Sequence, residues 1–306
     1  MATVVLLPAH GTVEALDELP GFLANIRRGQ PPSAELLHEV TSRYQAIGGR
    51  SPLNELSRAA AAKLEARLGL PVRIAGRLWK PYPNDVLADL QKSVGEISNI
   101  VVLPLAQHSA SIYVDHVTKA VSDLGLSAKV TGASDWGQNR TLNRAFARRI
   151  VDALKPLSAE ERAGTRLILS AHSLPKFLID QGDAYESEFR AACAIVLEEV
   201  GATYPDVDAA ICFQSQGMST GPGGRPMVWL GPTLLEGLTA ARDAGKTGVL
   251  IASIGFLADH VEVLFDLDHE AKHQAAELGL RFARTASLNA DDDFVDALEE
   301  EVRKLL

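Results

Sequence analysis

The sequence predicts an α/β protein of two Rossmann-like domains, each a four-stranded parallel sheet flanked by helices, with a cleft between them. Two patterns point there. Apolar runs of strand length alternate with longer segments of helical period along the whole chain, which implies parallel sheets covered by helices on both faces. At 306 residues the chain is also longer than one hydrophobic core usually serves.

The expected strands are residues 4–8, 72–78, 100–105, 129–132, 167–171, 209–213, 249–254 and 280–283. Helical periodicity fills residues 35–46, 53–68, 84–94, 112–124, 142–154, 185–200 and 233–244. Eight strands divide into two groups of four near Lys155-Pro156-Leu157-Ser158, where Pro156 ends one helix and Ser-Ala-Glu-Glu opens a short new one. The expected domains are therefore residues 1–157 and 158–306, the last helix packing back on the first domain. A single barrel is excluded by the long helical stretch before the second strand, which breaks the regular spacing.

Composition narrows the function. Apolar content of 46% and charged content of 23% are those of an ordinary globular protein. Thirty basic against 39 acidic side chains give a net charge of −9, which argues against nucleic acid as a partner. The first residues, MATVVLLPAHG, lack the basic start and the length of a secretory signal, and no apolar run approaches a membrane span. Two cysteines, Cys193 and Cys212, are too few for a disulfide scaffold or for the four thiolates of an iron–sulfur cluster. A cytoplasmic enzyme or binding protein is the expectation.

Taken in order, the first strand delivers Ala9-His10-Gly11-Thr12 to a turn, with Gly11 suited to a tight backbone and Thr12 to a cap. His10 reads there as a turn residue or as a cleft ligand. Arg27-Arg28 before a Gly-Pro-rich break, and Arg43-Tyr44 before Gly48-Gly49-Arg50-Ser51, offer guanidinium forks for carboxylates or phosphates. The plainer alternatives are solvated arginines and Ser51 as a helix cap before Pro52. No P-loop or dinucleotide glycine fingerprint follows the first strand, so NAD and FAD are not expected. His108 ends the third strand, where a structural histidine and an anion site are both open.

The second half opens on Ser170-Ala171-His172-Ser173-Leu174-Pro175, a buried strand emptying into a histidine, with Pro175 expected to stop any immediate helix. Without a Gly-x-Ser-x-Gly elbow, acyl transfer by serine is poorly supported. The Gly/Pro-rich segment 217–227 reads as a long loop at the next strand end. Residues 255–273 follow an apolar run ending in Gly255. Read as one helix at roughly 100° per residue, they place Asp259, Glu262, Asp266, His269 and His273 within about 80° of arc, with Glu270 beside them. Such a face is either solvated or a divalent metal site, and the carboxyl end of a strand in an open α/β sheet is where ligands bind.

Three motifs carry a resemblance. SAHSLP at residues 170–175, FQSQG at 213–217 followed by WLGP at 229–232, and GFLADHVEVLFDLDHE at 255–270 are similar, in order and spacing, to the ferrochelatases, which insert Fe²⁺ into a porphyrin. The similarity covers nearly the whole chain. It implies a catalytic pair at His172 and Glu262, metal contact by His172, Glu262, Asp266 and Glu270, and no resident cofactor, since porphyrin and iron are both substrates. Residues 25–32 and 43–54 resemble most the coproporphyrin III branch, which implies porphyrin contacts at His10, Arg27, Arg43, Tyr44 and Ser51 and a later decarboxylase acting on the coproheme product. Two departures stand out: His10 occupies a position usually held by Tyr, and the 217–227 loop is longer than in most relatives. Protoporphyrin IX, a sirohydrochlorin-type chelatase, a non-catalytic heme or porphyrin carrier and a two-lobed phosphate-binding protein are the competing readings.

Overall fold

Eight strands form among the residues described by the computed structural model, which are 2–217 and 226–306. The first pass of the chain runs β1 (Ala2–Ala9), α1 (Leu19–Ile26), α2 (Ala34–Ala46), α3 (Leu53–Leu68), β2 (Val72–Gly76), α4 (Pro83–Val94), β3 (Ile97–Val102), α5 (Ala110–Asp123) and β4 (Lys129–Gly132). The second runs α6 (Arg140–Leu154), α7 (Ala159–Ala163), β5 (Thr165–His172), α8 (Lys176–Asp180), α9 (Tyr185–Gly201), β6 (Ala209–Gln214), α10 (Leu234–Asp243), β7 (Gly248–Ala252), α11 (Val261–Leu264), a π-helix at Asp266–Ala271, α12 (Lys272–Glu277) and β8 (Arg281–Arg284). Helix α13 (Asp292–Leu305) closes the chain.

Both sheets are parallel, ordered β2-β1-β3-β4 and β6-β5-β7-β8. Their central strands are buried almost without interruption: Val4 to Leu7 in β1 and Leu167 to Leu169 in β5 are fully covered. That is what helices on both faces of a parallel sheet require, and why these strands read as apolar runs rather than alternations. In the first unit Val4, Leu6, Ile100 and Val102 pack on Val86, Leu87 and Leu90 of α4 and Val117 and Val121 of α5. In the second, Ile168, Val249 and Ile251 pack on Leu234 and Leu238 of α10 and on Val263, Leu267 and Ala275.

The division between units differs from the expected one near residue 157. One unit takes the residues up to Trp136, Leu257–Val261 and Asn289–Leu306; the other takes Gly137–Phe256 and Glu262–Leu288. Helix α6 belongs to the second unit because it packs on α9, burying Leu142, Phe146 and Ile150, while Arg144 pairs with Glu199 at 3.0 Å. Pro156 therefore ends a helix without separating domains. Just beyond it Ser158 and Glu161 cap α7 reciprocally, each side chain bonding the other's backbone N–H. Helix α13 lies in the first unit against α3, with Lys63 on Asp292 at 2.8 Å.

Two local expectations are corrected. Pro175 does not stop a helix but precedes α8, because a proline ahead of the first turn removes no helical hydrogen bond. Residues 255–273 are not one helix: helical structure starts only at Val261, and the middle of the segment is π-helical.

Candidate active site

In the second unit the strand order reverses between β5 and β7, and at such a switch point the crevice outside the strand ends receives ligands. Residue by residue, the chain is built to bring two groups there. His172 is the last residue of β5 and pairs in register with Gln214, the last of β6. Beyond β7, Gly255 donates its N–H to the Ser170 carbonyl at 3.0 Å. A Cβ on Gly255 would stand 2.3 Å from the Cβ of Ala171, so only glycine lets the two strand exits lie this close. From there the chain climbs into α11, whose second residue is Glu262.

His172 Nδ1–H donates to Glu262 Oε2 at 3.1 Å, the two side chains being about a third exposed. Neighbours hold both in place. Gln214 Oε1 accepts from the Ser170 hydroxyl at 2.8 Å, and its Nε2 donates to the Glu262 carbonyl at 3.0 Å. Tyr185 Oη donates to the His172 carbonyl at 2.9 Å, and the Ser215 hydroxyl donates to the Asp266 carboxylate. Burial pulls the proton affinity of His172 down, but the charge and hydrogen bond of Glu262 and the charge of Asp266 outweigh it, so its pKa lies above the ordinary 6.5.

The expected one-face stripe of ligands does not form. Asp259 precedes the helix and is held by Asn289, which donates from Nδ2 to its carboxylate at 3.0 Å. Within the π-helix the N–H groups of His269 and Glu270 both donate to the Phe265 carbonyl, at 3.0 and 3.1 Å. A turn closed five residues back is wider than an α-turn, so a 100° period no longer stacks the side chains beyond it. His269 stacks on Phe265 with ring centroids 5.6 Å apart, Asp268 grips Arg284 through both oxygens at 2.7 and 2.9 Å, His273 pairs with Glu277 at 3.3 Å, and Glu270 is exposed. Among the described residues no three His, Cys, Asp or Glu side chains are gathered as a metal cage. Of the expected set His172, Glu262, Asp266 and Glu270, the first two touch, Asp266 is drawn to Ser215, and Glu270 stands at the surface.

In the first unit, His10 ends the β1 exit exposed, while Gly11 has φ +84° and lies so near the Trp79 backbone that a Cβ would meet it at 3.0 Å. Arg43, in the last turn of α2, holds Glu39 at 2.9 Å and remains partly exposed, and Arg27 caps the end of α1. Tyr44 and Ser51 depart from the expected contact role. Tyr44 is packed with Val13, Leu19 and Phe22, its hydroxyl 2.9 Å from Thr12 Oγ1. Ser51 is buried, and its Oγ accepts from the Leu53 N–H at 3.4 Å. His108, left open between two roles, is buried and pushed down to about 4 by that burial, so it is a neutral structural imidazole at neutral pH. Most of the 217–227 loop lies outside the described residues. Gln214, Ser215 and Tyr185 went unread in the sequence. Gln214 and Ser215 stand inside a motif at a strand end, which was the available signal, whereas Tyr185 begins an ordinary amphipathic helix and gave none.

Comparison with known proteins adds an independent finding. Residues 2–306 match the family model described as ferrochelatase. The ferrochelatase of Herpetosiphon aurantiacus is 33% identical over 307 residues, covering 97% of each chain. The coproporphyrin III ferrochelatase of Bacillus pumilus is 30% identical over 317 residues, covering 99% of this chain and 96% of its own. Among solved structures, SirB from Bacillus subtilis with Fe³⁺ superposes with a TM-score of 0.62 at 14% identity, over 100% of this chain and 96% of its own, a likeness of fold.

Proposed function

The chain belongs to the ferrochelatase family, and from that premise we propose that it inserts Fe²⁺ into coproporphyrin III to give coproheme. The observation that carries the chemistry is the His172–Glu262 contact at the switch point of the second sheet. Metallation exchanges two pyrrole protons for one Fe²⁺, so the site has to take up protons and handle a dication together. With its Nδ1–H given to Glu262, neutral His172 keeps its lone pair at Nε2, the nitrogen free to take a pyrrole proton. Glu262 then stabilises the imidazolium, and Asp266 and Glu270 pass the second proton and the incoming metal between the pair and solvent. Iron is substrate here, and no resident cofactor or iron–sulfur cluster is needed. Cys193 and Cys212 are buried, with thiols pushed up to about 12 by burial.

Coproporphyrin III carries four propionates, against two on protoporphyrin IX, and Arg27, Arg28, Arg43 and Arg50 fall within one short stretch of the first unit. Arg43 is engaged to Glu39 in an i,i+4 surface pair. Such pairs contribute only about 0.3–0.5 kcal/mol, so a substrate carboxylate replaces the partner readily. Tyr44 supports this segment from the core, and His10 is the exposed imidazole nearest the β1 exit. Several relatives carry the name coproporphyrin III ferrochelatase and others simply ferrochelatase at similar identity, which keeps protoporphyrin IX as the second reading. We place the enzyme in the cytoplasm, ahead of a decarboxylase that consumes coproheme; among the described residues no helix is long and apolar enough to cross a membrane.

The test is anaerobic metallation by Fe²⁺ of coproporphyrin III, protoporphyrin IX and sirohydrochlorin, followed by loss of the free-base spectrum. A kcat/KM for coproporphyrin III at least tenfold above the other two is expected. A preference for protoporphyrin IX overturns the substrate assignment, and tight coproheme binding without any metallation identifies a carrier.

A further inference from the structure

Gln214 and Ser215, consecutive at the carboxyl end of β6, reach the segment after β7, Gln214 at the Glu262 main chain and Ser215 at the Asp266 carboxylate, and neither contact is accounted for by the strand ladder alone. Both ends of the Gln214 amide are used: the oxygen by Ser170, on the strand that carries His172, and the nitrogen by the main chain of Glu262. The side chain is 3% exposed. It bridges the two segments whose separation sets the His172–Glu262 distance.

Ser215 continues this one turn further along. Its backbone has φ +60°, a conformation that glycine adopts freely and that serine adopts at a steric cost. What serine has and glycine lacks is the hydroxyl, and that hydroxyl donates to Asp266, itself 6% exposed and four residues beyond Glu262. The position carries a strained backbone together with one polar contact, and the contact goes to the carboxylate next in line.

We propose that Gln214 and Ser215 are positioning residues for iron capture. Gln214 fixes the main chain at Glu262, and Ser215 fixes the side chain of Asp266. An arriving Fe²⁺ thereby meets two carboxylates already held in place, Glu262 against His172 and Asp266 against Ser215. This inference rests on the ferrochelatase reading. It also dictates where a defect appears: loosening Asp266 weakens metal capture, while a captured iron still meets an intact His172–Glu262 pair.

Two substitutions at one position separate this role from a structural one. Ser215→Gly relieves the backbone and removes the donor; Ser215→Asn tolerates the left-handed backbone and keeps an N–H donor. Initial rates of the full-length chain are measured anaerobically with Fe²⁺ varied at saturating porphyrin and the reverse, with thermal unfolding alongside. Ser215→Gly is expected to raise KM for Fe²⁺ about tenfold, to leave kcat within about threefold and KM for porphyrin within about twofold, and to keep or raise the melting temperature; Ser215→Asn restores most of the Fe²⁺ KM. An unchanged Fe²⁺ KM in Ser215→Gly, equal losses in both variants, or a parallel rise in the porphyrin KM overturns the proposal. A wild-type chain that metallates no porphyrin overturns the ferrochelatase reading itself, and this inference with it.

Discussion

At His172 burial by itself would lower the proton affinity, and the two neighbouring carboxylates reverse the direction. The base that takes a pyrrole proton has to be neutral, so iron insertion falls away as pH drops below the raised pKa. The acid limb of kcat/KM is therefore expected above pH 6.5, the ordinary imidazole value. Glu262→Gln keeps the shape of the side chain and removes its charge. The maximal rate should fall by about 10²–10⁴-fold, the usual worth of a positioned acid–base group, while the remaining limb moves to lower pH. A limb that stays put would show that some other group titrates. For stability the sign is opposite: a raised imidazole pKa stabilises the fold below its unfolded value, and that contribution is lost as pH rises through the folded one. His172 and Glu262 were legible as residue types because each lies in a motif. Their pairing across 90 residues of chain followed only from the resemblance to the ferrochelatases, since spacing alone joins no positions so far apart.

Between elements, the close exits of β5 and β7 depend on Gly255. An alanine there has to displace Ala171, the residue before His172, with a Cβ–Cβ approach of 2.3 Å. Overpacking of this kind costs about 1–3 kcal/mol and distorts what lies next to it, so Gly255→Ala should lose stability and activity together. Gly201→Ala is the matched control. It ends α9 where nothing stands within 4 Å of the added methyl, and gains up to about 1 kcal/mol of helix propensity. Denaturant midpoints and iron-insertion rates of the two variants, measured side by side, decide the matter; equal effects would remove the steric argument. The central strands were legible because burial on both faces writes them as apolar runs, whereas the edge strands β4 and β8 are partly exposed and carry Lys129, Arg281 and Arg284. The segment after β7 was legible in composition and not in geometry. Periodicity assumes one helical pitch, and the wide turn at Asp266–Ala271 changes it, moving His269 onto Phe265. Tyr44 failed for a different reason: an aromatic beside an arginine reads equally as a ligand contact or as core.

For the molecule as a whole, the chain leaves the first unit at Trp136, contributes Leu257–Val261 to it, and returns from Asn289 through α13, so a unit that starts the sequence is finished by its end. The sequence called for a last helix packing back on the first domain but placed the division some twenty residues late, because a proline after α6 looked like a border while the apolar face of α6 marks its true neighbours. What holds α13 is decided by magnitudes. Its ion pairs to α3, Lys63 with Asp292 and Arg67 with Asp292, Asp296 and Glu299, are partly or well exposed, and such surface pairs contribute little and are screened by salt. Against that, Phe294, Val295, Leu298 and Val302 are essentially fully buried. At about 1.5–3 kcal/mol each, these four side chains supply roughly 6–12 kcal/mol as an upper estimate. A whole domain is stable by only about 5–15 kcal/mol. Ending the chain after Leu288 should therefore unfold the first unit, with β1–β4 amides losing their protection from hydrogen exchange while β5–β8 keep theirs. Neutralising Asp292 with Asn, or raising the salt to 1 M, should leave that protection almost unchanged. A truncated chain with protected β1–β4 amides, or a full-length chain that loses them in salt, would mean that charge rather than the apolar face seats the last helix.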